Sequence, residues 1–347
     1  MPLIRLSPNT DDKGLSEIQK VFANRTLVPP LEVDESELVS MRWNRTGCHL
    51  AAGFSSGVVK VFNFGEQKLM LFETCRGHLR NVSDLRWHPF HPNIVATCSL
   101  DKTIRVLDTR AQKWVALLRT EGENACVNWT PDGTVLGVGA KDNFASFFDA
   151  RNWATLRRQY ICEDLTSIYW NKRAAVLLCT NGVGEVIIYK WPKMVKASTM
   201  LGHCGAIKCV DFDPSDDKFA TAGADGVIGI WDANHIICSK TLCWFKDQIE
   251  GVSFSHDGKV VASYTDTMKI DVTHIKSGTS VFEMPTGYRV TAISWHPETY
   301  LLAIAGLSRR TRPFYNDLHQ CSVVQTFSVG QTSETSSAPP ETAVELE

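Results

Sequence analysis

Three histidines lie within sixteen residues in the segment GHLRNVSDLRWHPFHP, residues 77–92. Histidine is a frequent metal ligand and a frequent general base, so this density could indicate a metal site or a catalytic site. A metal site would need further histidine, cysteine or carboxylate side chains that converge at bonding distance. The sequence gives no reason to expect such a set, and we predict neither a metal nor a cofactor.

Motifs that would indicate an enzyme are scarce. The P-loop pattern is absent from the sequence. The segment GVGEV, residues 182–186, resembles half of a glycine-rich phosphate loop, but no helical pattern follows it, and a turn between strands explains it better. Eleven cysteines and ten histidines can be paired by chance in many ways. We therefore expect a protein without catalytic activity or a small-molecule substrate.

Basic segments with aromatic neighbours are candidates for binding. The clearest combines three arginines with two rings: Arg309, Arg310, Arg312, Phe314 and Tyr315. Cations pair with phosphates and rings stack on bases, so this segment could bind RNA, and the same residue types are enriched at protein interfaces. RNWATLRRQY, residues 151–160, is similar. The alternative is a solvated loop and an exposed strand edge, and so few cations would bind RNA weakly.

The composition is that of an ordinary globular protein. Of 347 residues, 44% are apolar and 21% are charged, and the formal net charge is −2, so bulk electrostatics do not indicate nucleic-acid binding. No apolar run is long enough for a membrane-spanning helix, and the N-terminal residues lack a signal-peptide core, so we expect no membrane partner. The odd number of cysteines, without a CxxC pair, indicates reduced thiols in a nuclear or cytosolic protein.

A repeat accounts for the histidine-rich segment. Seven short strand-like stretches each end in an aromatic residue at intervals of 41 to 44 residues: Trp43, Trp87, Trp129, Trp170, Phe212, Phe254 and Trp295. About nineteen residues after most of them comes a second β-rich run, such as TIRVL, EVIIY or VIGIW, that alternates with a period of two. This spacing predicts an all-β, seven-bladed β-propeller with one four-stranded blade per repeat.

The fifth repeat, residues 202–232, resembles the WD-repeat family most fully. In that family a histidine, a Ser or Thr, a turn aspartate and a tryptophan form a buried hydrogen-bond chain that locks the blade. The matching residues here are His203, Thr221, Asp225 and Trp231. The second repeat matches with His78, Thr97 and Asp101, but Leu107 replaces the tryptophan, so its network should be truncated. The other repeats lack the Gly-His pair and should rely on apolar packing.

The remaining histidines of the opening segment, His88 and His91, fall in the turn after an innermost strand, where Pro89 and Pro92 stiffen the chain. We expect their side chains to contribute little to stability. Replacing His88 should therefore cost less than replacing His203, which would leave a buried bond unmet.

The domain boundaries follow from the last repeat, where the second hydrophobic run ends late, at Phe327. The excess, residues 307–320, is predicted as a loop-like insertion in blade seven. Since no strand pattern follows Phe327, we predict that residues 20–28 form the outer strand of blade seven and close the ring. Residues 1–19 would then be a flexible arm, residues 20–328 the propeller and residues 329–347 a disordered acidic tail.

In the order of its blades and its lengthened last blade, the chain resembles the WD-repeat subunit family of the THO complex. The resemblance covers about residues 35–328 and rests on segments such as TNGVG at 180–184 and FSHDGK at 254–259. It implies a non-catalytic scaffold or adaptor in the nucleus, within the THO/TREX assembly for mRNA packaging and export. The implied partners are a large helical scaffold subunit and other THO subunits, and indirectly a DEAD-box RNA helicase and mRNA.

Two alternatives remain open from the residues. Arg110 in VLDTR and Arg151 in FFDAR each follow a blade-end aspartate by two positions. In WD-repeat substrate receptors of cullin-type ubiquitin ligases, such arginines contact the ligase adaptor, although each arginine could simply tie down its own turn. A propeller that contacts RNA directly is the other alternative.

Overall fold

Antiparallel sheets make up almost all of a computed structural model of the chain, which describes residues 18–20, 22, 25–28, 31–65, 68–171, 173–311 and 318–329. Two short strands come first, β1 (Arg25–Leu27) and β2 (Leu31–Asp34). Blade one contains β3 (Leu38–Trp43), β4 (His49–Phe54), β5 (Val59–Gly65) and β6 (Lys68–Cys75). Blade two contains β7 (Val82–Trp87), β8 (Ile94–Ser99), β9 (Thr103–Asp108) and β10 (Lys113–Arg119).

The next four blades repeat this plan. Blade three contains β11 (Asn124–Trp129), β12 (Val135–Ala140), β13 (Phe144–Asp149) and β14 (Thr155–Tyr160). Blade four contains β15 (Leu165–Trp170), β16 (Val176–Asn181), β17 (Glu185–Lys190) and β18 (Val195–Leu201). Blade five contains β19 (Ile207–Phe212), β20 (Lys218–Gly223), β21 (Ile228–Asp232) and β22 (Ile237–Leu242). Blade six contains β23 (Ile249–Phe254), β24 (Val260–Thr265), β25 (Lys269–His274) and β26 (Thr279–Pro285).

Blade seven joins the two ends of the chain. It contains β27 (Arg289–Trp295), β28 (Leu301–Thr311) and β29 (Leu318–Val329), and β29 pairs on its outer side with β1 and β2. Each innermost strand contacts the innermost strand of the next blade, and β27 contacts β3, so the ring is complete. The molecule is a seven-bladed β-propeller, as the repeat predicts.

The position of a strand within its blade determines its burial. Second and third strands are buried on both sides, as in β20 and β21 of blade five, because the neighbouring blades cover both sheet faces. Outer strands are largely exposed, as in β14 and β18. The apolar core therefore lies between consecutive blades, and each cluster draws its residues from two neighbouring sheets. This arrangement explains why the aromatic residues recur once per blade.

The closing strand is shorter than residues 20–28. Among the described residues, Arg25–Leu27 pairs with residues 327–329 at the end of β29, and Leu31–Asp34 then pairs with residues 322–324. Residues 18–20, by contrast, are helical. The helical turn brings Phe22 into the core, where its ring stacks on Phe327 with 6.3 Å between centroids. The helix forms because burying Ile18 and Phe22 together requires a helical spacing of four residues.

The blade-seven insertion is not simply a long loop. β28 and β29 have 11 and 12 residues, and their pairing continues from the blade out to Thr311 and Leu318. Residues 307–311 and 318–320 are thus strands of a protruding hairpin, because an unbroken antiparallel ladder satisfies their backbone groups. Arg309 and Arg310 lie on this hairpin, whereas Arg312, Phe314 and Tyr315 lie outside the described residues. The predicted tail, residues 329–347, and arm, residues 1–19, also lie almost wholly outside them.

His88 is a buried residue at a blade junction, and the expectation that it contributes little was wrong in its premise. Its Nε2 is 3.2 Å from the carbonyl oxygen of Gly133 in blade three. Its Nδ1 accepts bonds from the backbone N–H groups of Phe90 and His91, at 3.1 and 3.0 Å. The ring also packs edge-on against Trp129. The His88 side chain is buried because the next blade covers the turn, whereas the His91 side chain is exposed.

The same junction occurs where the ring closes. His296 follows Trp295 as His88 follows Trp87, and its Nε2 is 3.2 Å from the carbonyl oxygen of Gly47 in blade one. Gly47 has a positive φ of 68°, and a Cβ there would lie 1.9 Å from His296 Nε2. Histidine and glycine therefore fit together at this junction, and the Trp-His-Pro sequence forms a contact between blades.

Candidate functional site

The two ends of the propeller are lined by different turns. We call the end with the turns from second to third strands, and from each outer strand to the next blade, the top face; it carries His78 and His203. The opposite end, with the turns from first to second and third to fourth strands, is the bottom face; it carries Pro89 and Pro214. Because every blade is an antiparallel sheet with its strands in sequence order, these turns alternate between the two ends.

Blade five contains the complete hydrogen-bond chain. The indole N–H of Trp231 donates to Thr221 Oγ1 at 2.8 Å. His203 Nε2 is 2.7 Å from the same oxygen, and its Nδ1 is 3.0 Å from the Asp225 carboxylate. Since indole only donates and carboxylate only accepts, the donors run from Trp231 through Thr221 and His203 to Asp225. Each buried polar group is satisfied, which fixes the top-face turns of this blade.

Blade two has a shorter chain. His78 Nε2 is 2.9 Å from Thr97 Oγ1, and its Nδ1 is 3.1 Å from Asp101. Burial lowers the pKa of His78. Burial alone would raise the pKa of Asp101, but hydrogen bonds from Thr103 and the Leu79 N–H outweigh it and lower that pKa to about 2. Leu107 supplies no donor, as the sequence implies.

The indole missing from blade two is partly replaced from another strand. Trp114 on β10 packs edge-on against His78 with 6.1 Å between ring centroids, and its N–H donates to the Arg76 carbonyl. The guanidinium of Arg105 lies over the same indole. The sequence pattern did not identify Trp114, because the family pattern has its tryptophan on the third strand. Trp114 lies on the fourth strand and contacts His78 across the sheet.

Arg110 and Arg151 each bind the aspartate of their own turn. Arg110 Nη2 is 3.3 Å from Asp108, and Arg151 Nη2 is 2.9 Å from Asp149. The backbone N–H of each arginine also donates to the same aspartate at 2.9 Å. The guanidinium groups remain 71% and 83% exposed on the bottom face. The geometry fits the turn-stabilising alternative and leaves each cation accessible.

The central channel holds partly buried charged side chains that the sequence pattern did not indicate. It is lined by the seven innermost strands and encloses a cavity of about 180 Å³. Asp84 Oδ2 is 3.6 Å from Arg86 Nε, and Arg86 donates to the Tyr169 hydroxyl at 2.6 Å. Asp211 accepts a bond from the Phe254 N–H at 2.8 Å, and burial raises its pKa. The alternation of side chains along each innermost strand places these residues on the channel side. They come close to one another because the ring is closed.

The outer surface of blade one carries an apolar patch that the sequence analysis did not point out. Met70, Leu71 and Phe72 follow one another on β6 and are 60%, 54% and 39% exposed. Three consecutive exposed apolar side chains on an outer strand are unfavourable in water, and such patches are typical of protein contacts. The sequence contains a signal for this patch, because the apolar run LMLF, residues 69–72, falls where the repeat has an outer strand.

A metal site and a membrane-spanning helix are not evident in the part of the chain that the structure describes. Among those residues no group of three or more His, Cys, Asp or Glu side chains could hold a metal ion. Within the same ranges no helix is long and apolar enough to cross a membrane.

Comparison with known proteins identifies relatives. A family described as "WD domain, G-beta repeat" matches residues 70–108 and 195–232. THO complex subunit 3 of Arabidopsis thaliana is 30% identical over 280 residues, which cover 80% of this chain and 88% of that protein. WD repeat-containing protein AAC3 of Dictyostelium discoideum is 26% identical over 86% of this chain and 67% of that protein.

A solved structure shares the fold. The β-propeller domain of Cps50 (Swd1) from Myceliophteria thermophila superposes with a TM-score of 0.74 at 15% identity, covering 86% of this chain and 99% of that domain. At this identity the likeness concerns the fold alone.

Proposed function

The chain belongs to the THO complex subunit 3 family of WD-repeat propellers, and from this premise we propose that it is a non-catalytic adaptor subunit of a nuclear THO/TREX assembly. In this role the propeller offers docking surfaces for other subunits, including a large helical scaffold subunit, during packaging and export of mRNA. A DEAD-box RNA helicase and mRNA are indirect partners. The observation that carries the proposal is the 30% identity across 88% of the length of THO complex subunit 3.

The apolar patch of blade one supports a docking role. Met70, Leu71 and Phe72 lie on the outermost strand of a rigid blade, so binding a partner there requires no rearrangement of the core. An amphipathic helix of a scaffold subunit would bury these side chains with its apolar stripe. The protruding hairpin of blade seven is a second candidate, since its length beyond the blade is not needed for the ring.

Purification from nuclear extract tests the proposal. Tagged wild-type protein should recover THO subunits, and Leu71→Glu should reduce their recovery at least several-fold because a charge would be buried at the contact. Leu117→Glu is the matched control, since Leu117 is similarly exposed on the outer strand of blade two. Recovery of a cullin adaptor in place of THO subunits would favour the ubiquitin-ligase alternative, and its loss in Arg110→Ala and Arg151→Ala would locate that contact.

A further inference from the structure

The hydrogen-bond chain of blade five has no counterpart in blade six, and a pocket lies in its place. The register aligns the two blades: Thr221 pairs with Gly229 in blade five, and Ser263 pairs with Asp271 in blade six. Two positions further along the third strand, Trp231 corresponds to Thr273. Blade six thus lacks the indole, and a cavity of about 370 Å³ opens from the top face.

The loss of tryptophan admits a carboxylate. In blade five a Cβ on Gly229 would lie only 2.7 Å from the indole nitrogen of Trp231, so that position must stay glycine. With threonine in place of the indole, Asp271 occupies the corresponding position in blade six. Its carboxylate accepts bonds from the hydroxyls of Thr273 and Ser280, both at 2.6 Å.

Two polar groups in the pocket are incompletely satisfied. Ser263 lines the pocket and is fully buried, and its Oγ makes no hydrogen bond within the described part of the chain. Asp271 is 8% exposed, and in the same part of the chain no cation lies within ion-pair distance of it. Burial raises the pKa of Asp271. A buried carboxylate without a cation and a buried hydroxyl without a partner are both costly, and a ligand that satisfies both would offset these costs.

Aromatic rings and acidic groups form the rest of the pocket. Trp244 and Phe245 stack with 5.6 Å between their centroids, and Trp244 is 41% exposed. At the rim, Lys269 is 3.5 Å from Glu283, and Asp247 lies nearby, so carboxylates outnumber the two lysines of the lining. This combination disfavours a phosphate. It favours a planar cation that stacks on an indole and donates several hydrogen bonds.

We propose that the blade-six pocket, lined by Trp244, Ser263 and Asp271, binds an arginine side chain presented by a partner polypeptide. The guanidinium would pair with Asp271, donate to Ser263 Oγ and stack on Trp244. Charge complementarity selects this occupant over a nucleotide. The inference rests on the pocket alone and stands apart from the proposed THO assembly.

Fluorine NMR on protein labelled with 5-fluorotryptophan locates the binding. The Trp244 signal is the one that disappears in Trp244→Phe. Adding N-acetyl-arginine amide should shift this signal in a saturable manner, whereas N-acetyl-citrulline amide, the uncharged isostere, should not. An equal shift with both probes would overturn the proposal. A shift only with a single-stranded RNA oligonucleotide would also overturn it and identify a base-stacking pocket instead.

Calorimetry with the arginine probe tests the residues. Asp271→Asn should weaken binding at least about tenfold, because the charge-assisted hydrogen bonds are lost while the shape is kept. Trp244→Ala, at a half-exposed position outside the core, should weaken it several-fold even if Asp271→Asn folds poorly. Glu163→Gln, an exposed carboxyl of blade four, is the control and should bind as wild type. Unchanged affinity in both pocket variants would rule out the assignment.

Discussion

At the scale of single residues, the histidines show how burial determines what a side chain contributes to the free energy of unfolding. His88→Ala removes bonds to two backbone N–H groups and to the Gly133 carbonyl, so we expect it to cost about 1–3 kcal/mol of unfolding free energy, comparable with His203→Ala. His91→Ala, at the exposed neighbour, should stay within about 0.5 kcal/mol. Urea unfolding of the three variants measures these costs. A near-neutral His88→Ala would mean that water replaces the lost bonds.

The Asp101 carboxyl should make stability depend on acidity. Its pKa falls from 3.8 in the unfolded chain to about 2 in the folded one, so its contribution is present above the unfolded value. That contribution is lost as the pH falls from about 4 toward 2, because the unfolded chain then binds the proton more readily. The difference in unfolding free energy between wild type and Asp101→Asn should shrink over this window. A constant difference would contradict the shift, and Asp266→Asn, at an exposed position, is the control.

At the scale of elements, closure of blade seven depends on Phe22 as well as on backbone pairing. The ring is 2% exposed and contacts Trp295, Tyr300 and Phe327. Phe22→Ala should therefore cost about 3–5 kcal/mol and lower the melting temperature by several degrees, whereas Lys20→Ala, at an exposed position, should not. Differential scanning calorimetry compares them. Equal melting of Phe22→Ala and wild type would show that the strand alone closes the ring.

The blade-seven hairpin should be removable without loss of thermal stability. Replacing residues 309–320 with a short Gly-Ser turn leaves the pairing of residues 301–308 with 321–328 intact, so melting should change little. Under the proposed function, recovery of the scaffold subunit should fall. Wild-type recovery at about 0.15 M salt would show that the hairpin is not a docking element. Loss of RNA retention alone, at low salt, would favour electrostatic contact with RNA.

At the scale of the whole molecule, the shared blade should make unfolding cooperative. β1 and β2 come from one end of the chain and β27 to β29 from the other, so the ring is closed and no blade can leave it without exposing the apolar sheet faces of its neighbours. Circular dichroism and tryptophan fluorescence should therefore report the same thermal midpoint in the wild type. Deleting residues 1–34 should separate the two midpoints. Separate midpoints in the wild type would mean that the blades unfold independently, as in an open repeat array.

The sequence by itself determined the repeat, the number of blades and the four residues of the blade-five chain. These features are local: alternation along a strand and a period near 42 residues record which side chains face a neighbouring blade. The resemblance to the WD-repeat family rested on the same local pattern. The partner role of Arg110, Arg151 and the hairpin arginines stays a prediction.

The tertiary structure decided the contacts between blades and across the ring closure. Phe22 meets Phe327 some 300 residues away, His88 is covered by the turn of the next blade, and Trp114 reaches His78 across a sheet. The pocket beside Asp271 likewise lies in a blade that has threonine where blade five has the indole. Packing depends on which surfaces meet in three dimensions, and a one-dimensional pattern does not record the space that a missing side chain leaves between them.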